Sequence, residues 1–329
     1  MDVGALLGIL ADGEFHSGEA IGEALGISRA AVWKQLSQLQ EQGLDLESRH
    51  RRGYRVPGGL DLLDRDRILQ HMQQAERVSA LDVLLDTDST NRVAMEHACH
   101  PGKAYICTAE WQRQGRGRLG RTWVSPIANS IYLSLNWQFA NGVGDMQGLS
   151  LAVGVAAAQT LEQLGIPGVG LKWPNDLVAN GKLGGILIEL KGDLAGPCAA
   201  VVGLGLNGAM PDSAGADIDI PWTDLRSLAG GTLPDRNRLV AALLDNLIRL
   251  LHGYPSEGLA AYQAAWNQLD QLAGQAVTVH TGRETISGIA CGIDSRGALQ
   301  LETSTGMQSF EGGEVSLKPR QAPEAGQPA

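Results

Sequence analysis

Four strand-like runs crowd into residues 169–206 of this 329-residue chain: Val169–Trp173, Leu177–Ala179, Ile186–Lys191 and Ala199–Leu206. Parallel neighbours in a sheet need a crossover of a dozen or more residues, which such short connections do not supply. The runs must therefore pair antiparallel, and Asn180-Gly181 is the dipeptide that closes a tight hairpin between two of them. Further strands are predicted at Leu81–Leu85, Tyr105–Trp111 and Ile131–Phe139. Helices are predicted over 145–165, 235–252 and 256–268. The first has Leu149, Val153, Ala156, Thr160 and Leu164 on one face and Gly165 as its stop. Antiparallel strands with helices placed elsewhere make the fold class α+β rather than a doubly wound parallel sheet.

The first sixty residues follow another pattern. Val3, Leu6, Leu7 and Leu10 have helical spacing, and Asp12-Gly13 ends that segment. Ser17 is placed to cap a second helix that Gly26 stops; Ser28 caps a third, with Val32, Leu36 and Leu39 as its buried stripe. Two short helices joined so tightly form a helix-turn-helix. The outward side of the third carries Arg29, Ala30, Trp33, Lys34 and Ser37, beginning at Ser28. Leu44, Leu46 and Tyr54, Val56 then alternate as strands around His50-Arg51-Arg52-Gly53. That is a winged arrangement, with one helix for the major groove and Arg51 and Arg52 for phosphate. A small helical protein-interaction domain is the alternative. Net charge does not separate the two, because residues 1–59 hold six Lys/Arg against eight Asp/Glu. A block so modest in charge binds non-specific DNA weakly and needs a dimer for tight binding.

Short strands at Ala276–Thr281, Glu284–Ile293, Ala298–Glu302, Gly306–Glu311 and Glu314–Leu317 predict a small C-terminal barrel. The expected division is 1–60, 61–268 and 269–318, followed by a polar, proline-rich tail, 319–329, expected to be disordered. No run approaches the ~20 apolar residues of a membrane helix, and Met1-Asp2-Val3-Gly4 lacks a secretory signal's basic start. Cys99, Cys107, Cys198 and Cys291 are scattered without paired spacing, and net charge is −10. The expectation is a reduced, cytoplasmic protein with no membrane partner.

Gly115-Arg116-Gly117-Arg118-Leu119-Gly120 matches G-x-G-x-x-G, but its context does not fit a dinucleotide loop. Such a loop opens a helix, and the sequel Arg121-Thr122-Trp123-Val124-Ser125-Pro126 cannot be the first turns of one. Arg113, Arg116, Arg118 and Arg121 would repel one another unless something anionic comes between them. The physical reading is a flexible loop folding over phosphate or carboxylate: glycines let the backbone approach, and guanidinium groups donate in pairs. A solvated basic surface loop is the bland alternative. Lys172-Trp173-Pro174-Asn175-Asp176 is the second unusual segment, a strand end followed by a turn. The hairpin after it delivers Lys182 beside Gly184-Gly185, where an anionic ligand could lie flat on the sheet. No P-loop is present. His97, Cys99 and His100 form an incomplete metal set without a fourth ligand.

With these residues in view, the chain resembles the biotin–protein ligases, of the bifunctional kind that also represses the biotin operon. The resemblance spans nearly the whole chain: the winged helix, Asp88-Ser89-Thr90-Asn91, Ala109-Glu110-Trp111-Gln112, the 115–121 loop, Lys172–Asp176, Lys182–Leu187, Gly203–Asn207 and the C-terminal barrel. It implies a central mixed-sheet ligase domain of class II synthetase-like fold, an N-terminal winged helix-turn-helix and a C-terminal SH3-like barrel. It also implies formation of biotinyl-5′-AMP from biotin and ATP with Mg²⁺, then transfer of biotin to a lysine of biotin carboxyl carrier protein.

Carried over by position, Arg118 and Lys182 meet the carboxyl and α-phosphate oxygens and are the catalytic pair. Arg121 meets the nucleotide phosphates. Ser89, Thr90, Asn91 and Gln112 contact biotin, and the backbone of Arg116 and Gly117 covers it. Asn207 and Trp222 serve the adenine side, with Asn175 and Asp176 bearing on nucleotide and metal. No dedicated protein metal site is expected. The resemblance further implies a homodimer on operator DNA when the adenylate is bound. Leu119 departs from a loop position that is often basic or small, and Trp33 gives the recognition helix its own character. A biotin-binding sensor without catalysis and a lipoate–protein ligase are the competing functions.

Overall fold

The computed structural model describes residues 3–317 apart from 99, 141, 193–195, 217 and 283. The tail 319–329, and Cys99 of the incomplete metal set, lie outside the described residues.

The N-terminal block is α1 (Val3–Leu10), α2 (Gly18–Leu25), α3 (Arg29–Glu41) and a hairpin of β1 (Glu47–Arg49) and β2 (Gly53–Arg55). Both predicted caps are made: Ser17 Oγ accepts from Ala20 N at 3.0 Å and Ser28 Oγ from Ala31 N at 3.2 Å. Gly26 ends α2 in the left-handed conformation, at φ 65°. The hairpin strands are shorter than expected. Leu44 and Leu46 precede β1 and pack toward the core made by Leu6, Leu7, Leu10, Ile21, Val32, Leu36 and Leu39.

The chain continues through α4 (Arg65–His71), β3 (Val78–Thr87), α5 (Thr90–Glu96), β4 (Ala104–Gln112), β5 (Ser130–Phe139) and α6 (Leu149–Gln163). Next come β6 (Gly170–Lys172), β7 (Asp176–Val178), β8 (Lys182–Gly192), β9 (Cys198–Asn207), α7 (Asp212–Gly215) and α8 (Leu225–Leu228). The long α9 (Arg236–Glu257) and α10 (Ala260–Leu269) complete the central part. Its seven-stranded sheet has the order β3-β4-β5-β9-β8-β7-β6. Among the described residues of this sheet only β3 and β4 pair parallel, with α5 as their crossover; all other neighbours are antiparallel, as the crowded 169–206 region demands.

Helix α6 differs from its predicted single face. Residues 151–158 are buried on all sides, between the sheet and α9, while Leu164 is 36% exposed. A helix apolar all round sits inside a layer rather than on one. The last strands, β10 (Ala276–His280), β11 (Thr285–Ile293), β12 (Leu299–Thr303), β13 (Gly306–Phe310) and β14 (Glu314–Leu317), form an antiparallel sheet ordered β13-β12-β11-β10-β14. Val277, Val279, Leu299, Leu301 and Val315 belong to one continuous core with the central sheet and α6. Among the described residues no helix is long and apolar enough to cross a membrane.

Two seams tie the parts together. Ile127 and Ala128, downstream of the arginine loop, are buried in the N-terminal core, and Ile127 N donates to Gln42 O at 3.4 Å. Arg236, fully buried at the start of α9, donates to Asp61 O at 2.9 Å and Ser130 O at 2.8 Å. Its Nη1 lies 2.8 Å from Glu110 Oε2, an ion contact outside good hydrogen-bond alignment, since neither that oxygen nor Arg236 Nε has a hydrogen-bond partner.

Candidate active site

Strand alternation builds the floor. On β9, Leu204 and Leu206 join the core, so Gly203 and Gly205 face the other way; on β8, Gly185 pairs with Gly205. That glycine-lined face opens into a cavity of about 740 Å³. Trp123 lies over it, closely enough that a methyl on Gly205 would come within 2.9 Å of its indole. The Trp123 Nε1 is buried without a hydrogen-bond partner.

Every residue expected to meet biotin or ATP lines this cavity: Ser89, Thr90, Asn91 and Gln112 on one wall, Arg116, Gly117, Arg118 and Arg121 in the loop, and Asn175, Asp176, Lys182, Asn207 and Trp222 beyond. The polar wall is a linked set. Gln112 Oε1 accepts from Thr90 N at 2.9 Å, while Ser134 Oγ lies 2.7 Å from Thr90 Oγ1 and 2.6 Å from Asn91 Oδ1. Asn91 Nδ2 donates to Leu187 O at 3.2 Å and Glu189 Oε2 at 2.8 Å. Both amide hydrogens of Asn91 are thus engaged by protein, so its part in the wall is to hold its neighbours. Ser89 is different: it stands at the N-cap position of α5 without making the cap bond, leaving its hydroxyl for the cavity.

The loop closes on itself as a tight hairpin. Gly117 N donates to Arg121 O at 2.7 Å and Trp123 N to Gly115 O at 2.8 Å, around a tight turn in which Arg121 N donates to Arg118 O at 3.2 Å. Leu119, at φ 56°, is 77% exposed on its crest. The repulsion expected among its arginines is relieved mostly by the protein's own acids. Arg113 turns away from the cavity to Asp86 and Asp88; Arg116 reaches Glu189 at 3.4 Å; Arg121 pairs with Glu314 at the start of β14. Asp88, held by Arg113 and then Arg92, has its carboxyl below the usual range.

Arg118 is the exception: its partner is the neutral Asn175 Oδ1 at 3.3 Å, and no carboxylate pairs with it among the described residues. Lys182 Nζ is 2.7 Å from Asp176 Oδ1 and 5.7 Å from the Trp123 ring centre. The backbone of Lys182 is clamped by Pro221 O, Thr223 N and the Asn207 side-chain amide. Asn207 Nδ2 also donates to Thr223 O at 3.0 Å, so its amide hydrogens position Lys182 instead of reaching a ligand. Asn175 likewise donates to Ile186 O at 2.7 Å. Trp222 Nε1 donates to Gly215 O at 3.2 Å, presenting the ring at the cavity's far end.

Sequence reasoning missed several members. Ser134 and Glu189 sit mid-strand on β5 and β8, and Glu314 lies in the C-terminal sheet; none has a local signal. Lys172, at a strand end, also lines the cavity, with no ion-pair partner among the described residues. The incomplete metal set resolves otherwise: His97 stacks on Tyr105 at 4.0 Å and its Nδ1 meets Val93 O at 2.8 Å. No group of three or more His, Cys, Asp or Glu forms a metal-binding set among the described residues. Asp176, one of the carboxylates lining the cavity, is engaged by Lys182.

On the N-terminal block, Ser28, Arg29, Ala30, Trp33 and Lys34 are exposed along one side of α3, with Ser37 half-buried and Trp33 61% exposed. Arg51 and Arg52 are exposed at the wing tip.

A winged N-terminal block, a mixed sheet carrying a cation-lined cavity and a small C-terminal sheet recur together in known proteins. Residues 5–55 match the HTH domain, 85–207 the Biotin/lipoate A/B protein ligase family and 273–318 the Biotin protein ligase C terminal domain. The chain is 40% identical to the bifunctional ligase/repressor BirA of Salmonella typhimurium, over 95% of its own length and 96% of that protein's. It is 34% identical to a biotin–[acetyl-CoA-carboxylase] ligase of Paracoccus denitrificans, over 71% of this chain and 98% of the other. Among solved structures, the biotin protein ligase from Aquifex aeolicus in complex with biotin and ATP superposes with a TM-score of 0.61 at 26% identity. That match covers 73% of this chain and 99% of that one. The chain belongs to the biotin protein ligase family, in its branch of bifunctional ligase/repressors.

Proposed function

We propose that the protein joins biotin to a lysine of a biotin carboxyl carrier protein in two steps and uses the intermediate to control DNA binding. In the first, a carboxylate oxygen of biotin attacks the α-phosphorus of MgATP; the bond to the bridging oxygen breaks, giving biotinyl-5′-AMP and pyrophosphate. In the second, the acceptor ε-amine attacks the acyl carbon, AMP leaves, and the amine loses a proton. Negative charge builds on carboxyl and phosphate oxygens in both, so fixed cations lining the cavity lower the barriers.

The observation that carries this reading is Arg118. It is a guanidinium at the cavity wall with a neutral protein partner, whereas Arg116 and Arg121 each have a carboxylate. An arginine left without a counter-ion is suited to an anion that arrives with the substrates. Lys182, held by Asp176, would meet the same anhydride from the other side. Thr90, Gln112 and the free hydroxyl of Ser89 suit a ureido ring, with Arg116 and Gly117 above it. Trp222 gives the adenine a stacking face, and Arg121 exchanges Glu314 for nucleotide phosphate. A sensor that bound biotin without catalysis would have no use for phosphate-facing cations.

Incubation with biotin, MgATP and a biotin-acceptor domain should give a streptavidin-reactive product, with lipoate a poor competitor. Absence of product from folded protein rejects the ligase, and equal competition by lipoate rejects the substrate. For the regulatory arm, the exposed helix face and wing support operator binding by a homodimer that the adenylate promotes. Gel shifts of an operator fragment should tighten when biotin and ATP are added together; no change removes this arm and leaves the ligase intact.

A further inference from the structure

The wing carries a charge arrangement that its tip does not account for. Phe15, in the connector between α1 and α2, is overlaid by three guanidinium groups: Arg52 at 4.3 Å, Arg55 at 4.6 Å and Arg49 at 5.3 Å from the ring centre. Strand register explains the convergence. Glu47 faces Arg55 and Arg49 faces Gly53, so Glu47, Arg49 and Arg55 share one face of the hairpin while Ser48 and Tyr54 share the other. The connector joins the same sheet: His16 N donates to Tyr54 O and Tyr54 N to His16 O, both at 2.9 Å. Gly53 permits this approach. Its φ is +101°, and a methyl there would stand 1.9 Å from His16 O.

One carboxylate answers the three cations. Glu47 Oε2 accepts from Arg55 Nε at 2.6 Å and its Oε1 from Arg49, and Arg55 first, then Arg49, hold its carboxyl below the usual range. Arg52 has no acidic partner among the described residues. The cluster therefore keeps an excess of positive charge. An aromatic face attracts each guanidinium but neutralises none of them, so their mutual repulsion persists until another anion arrives.

We propose that Arg49, Arg52 and Arg55 form a seat for a backbone phosphate of duplex DNA, with Phe15 as the platform that keeps the three groups together. The proposal rests on the DNA-binding reading above and adds Arg49, Arg55 and the Phe15 platform to Arg52 at the wing tip. Planar, forked donors suit phosphate oxygens, and such a contact adds affinity without reading sequence.

The test is binding of the full chain to random-sequence duplex DNA, with biotin and ATP present, followed by fluorescence anisotropy across a salt series. Arg49→Gln and Arg52→Gln should each weaken binding several-fold and flatten the slope of log K against log salt by about 0.9. Phe15→Leu keeps an apolar residue and removes the π face. It should also weaken binding, and combined with Arg52→Gln should cost less than the two losses multiplied. Unchanged affinity and slope in both arginine variants would overturn the seat. A Phe15→Leu loss fully independent of Arg52→Gln would overturn the platform. Matched thermal unfolding separates these results from misfolding, and Arg49 and Arg52 are exposed. A wild-type chain that binds no duplex at any salt would overturn the DNA-binding reading itself, a different outcome from wild-type binding that the variants leave unaltered.

Discussion

Ser134 shows how much one buried hydroxyl can decide. It is fully buried on β5, and its single hydrogen must choose between Asn91 Oδ1 and Thr90 Oγ1. The Asn91 amide nitrogen is fixed by Leu187 O and Glu189, so Oδ1 faces Ser134 and can only accept. The Ser134 hydrogen therefore goes to Asn91, the Thr90 hydrogen goes to Ser134, and Gln112 Oε1 accepts the Thr90 backbone N–H. This leaves the Thr90 oxygen an acceptor toward the cavity, matched to a ligand N–H. Ser134→Ala frees the Thr90 hydroxyl to turn toward Gln112 Oε1 at 3.2 Å. The expected result is a roughly tenfold higher KM for biotin, about 1.4 kcal/mol, with the KM for ATP unchanged. Steady-state kinetics with each substrate varied in turn checks it; equal losses for both would assign Ser134 a general packing role.

Among the elements, the join between α10 and the C-terminal sheet carries a cost. Asp270, the last residue before that sheet's lead-in, has Oδ1 accepting from Leu272 N at 2.9 Å while Oδ2 is buried without a partner. Burial raises its carboxyl above the ordinary value, and the Leu272 N–H offsets only part of that. A carboxyl that binds its proton more tightly when folded favours the native state at low pH, and that contribution disappears as pH rises through the raised value. Asp270→Asn keeps the acceptor for Leu272 and removes the charge. It should raise the melting temperature at pH 7, with the gap closing toward pH 4; thermal scans across that range decide it. The arginine hairpin and α6 show what element-level reading captures. Glycine and proline placement excluded a helix after Gly120, correctly, and period located α6. The number of layers around α6, and hence its all-round burial, depends on α9 arriving from almost a hundred residues away.

For the molecule as a whole, Arg236 and Glu110 are the tie between the linker after the winged block, β4, β5 and α9. Arg236 is 0% and Glu110 3% exposed, and Glu110 Oε1 also accepts from Leu63 N at 2.5 Å. Removing one partner strands the other's charge in a dry site. Arg236→Met should destabilise by ~3–5 kcal/mol, and adding Glu110→Gln should recover much of that loss. Chemical denaturation of the two variants tests the pairing; equal stability of single and double variants would show that Arg236 acts by volume alone. Glu110 O also accepts from Ala128 N at 2.9 Å, and Ala128 belongs with Ile127 to the N-terminal core.

What the chain spells out locally came through: Ser17 and Ser28 as caps, Gly26 as a stop, Asn180-Gly181 as a hairpin, and the residue types that line the cavity. These signals act across a few residues, so spacing alone contains them. Tertiary structure decided the partners. Arg121 meets Glu314, Arg116 meets Glu189, and Arg118 is left with Asn175 because strands distant in sequence close beside the loop. Charge pairing depends on distance in space, which no local spacing records. Only the folded sheet could therefore separate the arginine without a carboxylate partner from those already neutralised.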